Sequence, residues 1–212
     1  MFNNIKPKLL DQTLASETLK KLGQKSAKGK TTIAEIIEDF HENGILLAMI
    51  FFALPVAVPL PYPPGFTTIM GTPLIILAIQ LLIGSKKVKL PQAINRYEIK
   101  NSTLKMISDK LVPWLITVEK YVKPRTAFAK SVYAEQIVGL FCLIAAISVA
   151  IPLPFTNSIP ALGVAVMCLG LLNRDGITII GGFLIGLIGV IIALGIIVAS
   201  WVAIKYLFYS IF

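Results

Sequence analysis

Three long stretches of this chain contain no Asp, Glu, Lys or Arg: residues 43–85, 136–173 and 176–204. An α-helix rises about 1.5 Å per residue, so about 20 residues cross a hydrocarbon core of about 30 Å. The runs supply several such lengths. Only 15% of the residues are charged and 56% are hydrophobic, whereas a soluble domain carries about a quarter charged residues. These features point to an integral membrane protein. The spanning structure expected is helical, because a helix satisfies its own backbone groups in lipid.

Two of the three runs are interrupted. In VPLPYPPGFTTIMGTPLIILAIQLLIG, residues 58–84, five of the first sixteen positions are proline. On either side lie apolar arms, Ile45–Val58 and Phe66–Gly84, of 14 and 19 residues. As helices they measure about 21 and 29 Å, marginal for a crossing. Two geometries fit. The arms are tilted spans joined at the far surface by PLPYPPG, or they are half-helices that enter and return. Non-helical backbone at membrane depth is tolerated only when buried in protein or lining a wet cavity.

The interruption occurs twice. Pro59-Leu60-Pro61-Tyr62 answers Pro152-Leu153-Pro154-Phe155, and Gly71 answers Gly163 with one residue deleted. Each copy reads as an apolar arm, PLP-aromatic, a polar turn and a second apolar arm. GSKK (84–87) follows one copy and NRDG (173–176) the other. Repeated, interrupted apolar segments mark binding sites in membrane transporters. Proline-rich turns joining two short hairpins produce the same pattern.

The polar segments are basic. Residues 1–43 hold seven Lys and six acids, and 85–134 hold eleven Lys/Arg against three acids. In TTIAEIIEDFHENG, Thr31 or Thr32 can cap a helix, with Glu35 at capping-box spacing and Gly44 as a stop. In ISDKLVPWLITVEKYV, Ile107, Leu111, Trp114, Leu115 and Val118 form a stripe suited to the membrane surface, with Pro124 ending the helix. The net charge of +9 lies beside the apolar runs. It therefore indicates cytoplasmic loops and anionic lipid, and no nucleic acid. His41, the single histidine, fits a helix end near the interface.

The fold expected is an all-α integral membrane protein. It has two internally repeated broken or re-entrant helix hairpins (44–85 and 136–174), a C-terminal transmembrane helix (176–212) and amphipathic surface helices (1–43 and 86–135). The last helix carries glycines at 182, 186 and 189 and ends in Trp201, Lys205, Tyr206 and Tyr209. The N-terminus and basic middle are expected to face the cytoplasm, and the glycine face suits a homodimer. Cys142 and Cys168 lack metal-ligand spacing and read as small packed side chains.

PPGFTTIMGTPLIILAIQLLIG followed by KLP resembles the ExoD family of bacterial exopolysaccharide-synthesis membrane proteins. The residues that carry the likeness are Pro61 to Gly65, Thr67, Thr68, Gly71, Pro73, Leu74, Ala78, Gln80, Gly84, Lys86 and Lys87. Pro152 to Leu162, Leu172 to Gly176 and Lys123-Pro124-Arg125 extend it. The family often has Trp before the LP that follows the basic run, where this chain has Val88-Lys89. The resemblance implies a multi-pass protein of the bacterial inner membrane tied to surface polysaccharide, with no agreed reaction.

No catalytic triad, metal cluster or phosphate loop is visible, so an enzyme is not expected and no cofactor is implied. A carboxylate pair would need Glu135 and Asp175, far apart in sequence. The main functional expectation is binding or translocation of an anionic lipid-linked carrier, of polyprenyl-phosphate type, among membrane lipids. Backbone N–H groups at Gly65, Thr67, Thr68 and Gly71, with the threonine hydroxyls, can meet a phosphate at a half-helix N-terminus, and Pro61 and Pro64 shape the turn that would line the same site. Gln80, Asn157 and Asn173 add neutral donors, and Arg125 and Arg174, with Asp175 beside it, sit on the cytoplasmic side. Duller roles are open to the same residues: Arg174 can pair with Asp175, and threonines can bond back to helix carbonyls. The alternatives are a small ion or solute transporter, or a scaffold whose basic middle docks polysaccharide-synthesis partners. Against a coupled transporter, the apolar runs hold no ionisable residue.

Overall fold

The computed structural model describes residues 15–24, 29–38, 44–58, 63, 65–85, 87–122, 131–151 and 156–211. Pro61, Pro64, Arg125, His41 and Pro124 lie outside them. In chain order the elements are α1 (Ala15–Gln24), β1 (Lys30–Thr32), α2 (Ile33–Glu38), α3 (Gly44–Ala57), α4 (Phe66–Leu82) and α5 (Gln92–Asn95). They continue with β2 (Glu98–Lys100), α6 (Asn101–Tyr121), α7 (Val132–Ala150), α8 (Ser158–Leu172) and α9 (Gly176–Ile211).

The chain is helical, with one addition to the all-α expectation. β1 and β2 pair antiparallel, Thr31 opposite Ile99. The Thr31 hydroxyl donates to Asn101 Oδ1 at 2.6 Å in a buried contact. Lys30 Nζ meets Glu98 Oε2 at 2.7 Å on the surface, and that bond and charge raise the Lys30 pKa above the usual lysine value. Thr32 then caps α2 by accepting from the Glu35 N–H. Gly44 does not stop α2: it is the first residue of α3.

The stripe on α6 also has a different cover from the one expected. α1 packs along α6, and Leu19, Leu22, Leu104, Leu111 and Leu115 are all buried. Gly23 lets the helices close, since a Cβ there would overlap Ser108. Protein therefore covers Leu111 and Leu115 where a membrane surface was expected. A short amphipathic helix earlier in the chain was available to do this, and two apolar stripes pair readily.

The apolar bundle consists of α3, α4, α7, α8 and α9. α3 packs on α4 and α8, α4 on α7, and α8 on α7 and α9. Glycines set the spacing and reveal the directions. A Cβ at Gly71, early in α4, would lie 2.8 Å from Ala150 Cα at the end of α7. A Cβ at Gly139, early in α7, would lie 2.6 Å from the Leu82 nitrogen at the end of α4. The two helices are therefore antiparallel. By the same test Gly189 sits on Pro160 and Gly170 on Ile179, so α8 and α9 are antiparallel too. Small residues at such crossings let backbones approach.

Two helices, α7 (133–150) and α9 (176–203), are long and apolar enough to cross a membrane. α3, α4 and α8 are shorter, at 14, 17 and 15 residues. That corresponds to about 21 to 26 Å. From Ile191 onward α9 is mostly exposed, with Ala193 a buried exception.

Candidate functional site: the hairpin tips and the base

Both hairpins turn at the same end of the bundle. α3 and α4 form one hairpin, α7 and α8 the other, and the contact of Gly71 with Ala150 brings the two turns together. We call this end the tips. The opposite end, where α4 and α8 finish and α7 and α9 begin, is the base.

At the tips, the last carbonyls of α7 lack helical partners, as at any helix end. Two side chains supply them. The Thr68 hydroxyl, from α4, donates to Ala150 O at 2.9 Å. Asn157 Nδ2, just before α8, donates to Ile151 O at 3.1 Å. Its Oδ1 accepts from the buried Thr156 hydroxyl at 3.0 Å. Consecutive carbonyls are thus held by one residue from each hairpin. Gly65 caps α4 with φ +83°, a left-handed conformation that suits glycine. The Thr67 hydroxyl has no partner among the described residues. The buried Ser148 hydroxyl oxygen, on α7, has none among them either.

The base is built differently. Gln80 is buried on α4, where its Nε2 donates to Ile76 O at 3.3 Å, and both ends of its amide also reach Lys89. Its Nε2 donates to Lys89 O at 2.6 Å, and its Oε1 accepts from the Lys89 N–H at 2.7 Å. This clamps the chain that leaves α4. The second arms of the hairpins then close alike. Ser85 N–H reaches Gln80 O and Gly84 N–H reaches Leu81 O; Asp175 N–H reaches Gly170 O and Arg174 N–H reaches Leu171 O. Such endings put one residue in the left-handed region. It is Gly84, φ +71°, in one hairpin and Arg174, φ +56°, in the other.

Asn173 is buried and folds back onto Leu169 O at 2.9 Å. Asp175 is buried and caps α9, accepting from the Ile177 N–H at 3.1 Å and the Thr178 hydroxyl at 3.0 Å. Arg174 is exposed beside it. Glu135 is exposed on α7.

The residues singled out from the sequence therefore fall into two groups. Gly65, Thr67, Thr68, Gly71 and Asn157 lie at the tips; Gln80, Asn173, Arg174 and Asp175 lie at the base. Along α4, Thr68 and Gln80 lie 12 residues apart, a distance of about 18 Å. Sequence reading missed Thr156, Ser148 and the Lys89 backbone. Thr156 adjoins Asn157 in a polar turn, a usable signal. Nothing in the sequence marks Ser148 or the Lys89 contact. Among the described residues, no group of three His, Cys, Asp or Glu side chains is placed to hold a metal ion.

With this geometry in hand, comparison with known proteins is decisive about kinship. The pattern described as "Exopolysaccharide synthesis, ExoD" matches residues 15–195. The chain belongs to the ExoD family. An uncharacterized protein of Synechocystis sp. is 31% identical over 170 residues, 79% of this chain and 80% of that protein. Protein ExoD of Rhizobium meliloti is 26% identical over 163 residues, 74% of this chain and 67% of that protein. No solved structure matches. The family match takes in both hairpins and most of α9, so both ends of this ExoD-family bundle fall within it.

Proposed function

We propose that this ExoD-family chain is a multi-pass inner-membrane protein of exopolysaccharide assembly whose two repeated hairpins hold, or pass across, the anionic head of a lipid-linked carrier of polyprenyl-phosphate type. The observation that carries this reading is the meeting of Thr68, Thr156 and Asn157 at the tips of the two hairpins. Three of the four arms are about 21 to 26 Å long, short of a core of about 30 Å. With the base at one interface, those polar groups lie at membrane depth. There a hydroxyl or amide is worth keeping only if something polar meets it.

The base supplies the complement. Arg174 is exposed, and a guanidinium is the side chain best suited to a phosphate. The segments attached at the base carry Lys87, Lys89, Arg96, Lys100, Lys105, Lys110 and Lys120. Cytoplasmic segments carry such an excess. A carrier head captured at Arg174 then has neutral donors, Thr67 foremost, waiting at the tips. The matching closures at Gly84 and Arg174 support reading the hairpins as one repeated unit.

Native mass spectrometry of the protein released from mild detergent, with lipid identification, tests this. A retained polyprenyl phosphate is expected, reduced in Arg174→Ala and in Thr67→Val, each with unchanged thermal stability. Retention of bulk phospholipid alone, the same in both variants, would count decisively against the carrier.

A further inference from the structure

The exposed apolar side chains of the bundle form belts of unequal height. On α7 they are Ile137, Leu140, Ile144, Ile147 and Ile151. Their spacing of three and four residues puts them in one line along the helix. The line rises about 21 Å, with the exposed Glu135 just below it. On α4 the exposed isoleucines run from Ile69 to Ile83, again about 21 Å. On α9 the exposed apolar residues run from Ile177 to Trp201, about 36 Å.

The belts start level at the base and part at the tips. Asn157 holds the Ile151 carbonyl and lies three residues before Pro160, which sits on Gly189. In the antiparallel register of α8 and α9, Ile151 is therefore level with Ile192. Ile69, two residues from the contact of Gly71 with Ala150, is level with both. α7 and α9 run parallel, since each is antiparallel to α8, so Ile137 is level with the start of α9. The difference of about 15 Å thus lies wholly beyond the tips. A hydrocarbon core of about 30 Å is filled by the α9 belt and not by the α4–α7 belt. Tilting the bundle shortens both belts and leaves the shorter one further from a match. At its upper edge stand the exposed Thr68 and the half-buried Thr67, groups that hydrocarbon covers poorly. A bilayer accommodates a short apolar stretch by thinning, at a modest cost per ångström.

We propose that the α4–α7 flank is a membrane-thinning surface whose partner is the phospholipid leaflet opposite the base. The headgroups of that leaflet are drawn in by about 9 Å, to the level of Thr67 and Thr68, while the α9 flank keeps a bilayer of ordinary thickness. A polar head moving along this flank then crosses about 21 Å of hydrocarbon. The inference rests on the membrane placement proposed above. It needs no particular carrier, because any phospholipid headgroup serves.

The test uses the full chain with Cys142→Ala and Cys168→Ala, reconstituted in dioleoylphosphatidylcholine vesicles. Single spin labels are attached at Ile69→Cys on α4, Ile192→Cys on α9 and Leu140→Cys within the α7 belt. All three native side chains are exposed, so the packing is left intact. Collision with oxygen, which favours lipid, and with a water-soluble nickel chelate reports the depth of each label. A bilayer of uniform thickness gives Ile69→Cys and Ile192→Cys the same ratio, because they stand at one height. Thinning gives Ile69→Cys several-fold more collision with nickel, and the contrast should shrink in the thinner dimyristoleoylphosphatidylcholine. Equal depth at the two positions in the thicker bilayer, with Leu140→Cys deep, overturns the thinning surface and leaves the membrane placement standing. Free access of nickel to Leu140→Cys overturns the placement, and the thinning surface with it.

Discussion

Arg174 occupies a backbone conformation that glycine fills in the matching turn after α4. The left-handed region costs an L-residue about 1 to 2 kcal/mol relative to glycine. A chain selected only to close α8 tightly would therefore place glycine at 174. Strain of this kind tends to persist where a side chain has work to do. Arg174→Gly should raise unfolding stability by about 1 kcal/mol while lowering carrier retention. A thermal melt beside native mass spectrometry of the same sample reads both. A variant that is less stable than the wild type would refute the strain assignment. The αL residue was not legible in the sequence, because NRDG does not say which of its four residues turns. Asp175 was legible as a candidate, and the structure gives it a capping role, since it precedes the first turn of α9.

At the scale of elements, glycine placement orders the helix crossings. A Cβ at Gly163 would strike the Gly186 backbone, whereas one at Gly195 meets open space. Gly163→Ala should therefore destabilise by about 1 to 3 kcal/mol, the range for overpacking. Gly195→Ala should be neutral or stabilising by up to about 1 kcal/mol, the helix-propensity difference. Thermal midpoints in one detergent decide the ranking; equal shifts would mean that the α8–α9 crossing is looser than described. The clamp after α4 makes a second element-scale prediction. Gln80→Leu strands the Lys89 N–H and C=O, at a cost of about 1 to 3 kcal/mol. Hydrogen exchange at residues 85–90 should accelerate with little change inside α7. A cap at Thr31 or Thr32 was foreseen from the capping-box spacing, a local interaction, and the structure gives it to Thr32. The strand before it was not, because its partner lies about 70 residues on.

The whole molecule is asymmetric along the bundle. Four helix arms share the layer between tips and base, but α9 continues past the tips with most of its side chains exposed. Ile191, Leu194, Val198 and Trp201 are among them. Lipid is the natural cover for such a surface, and Trp201 and Tyr206 suit the headgroup level. The packed helices alternate in direction, so α9 should deliver the C-terminus to the face opposite the base. Single cysteines at Lys89 and Lys205, in a Cys142→Ala/Cys168→Ala background, should react with an impermeant maleimide from opposite sides of oriented vesicles. Labelling of both from one side would exclude this arrangement.

The sequence by itself determined what depends on composition and short-range pattern. The charge-free runs marked the apolar helices, and the motifs around Gly71 and Arg174 marked the family. Such signals are local, since each is carried by residues within a few turns of one another. Only the tertiary structure decided which residues meet. It joined Thr68 to the end of α7 and sent the Gln80 amide to Lys89. It covered the α6 stripe with α1 and divided one imagined site into tips and base. For the bundle helices the physical reason is shared. In helices that are apolar all round, periodicity selects no face, so the partner of each side chain is set by backbone approach at the glycine crossings.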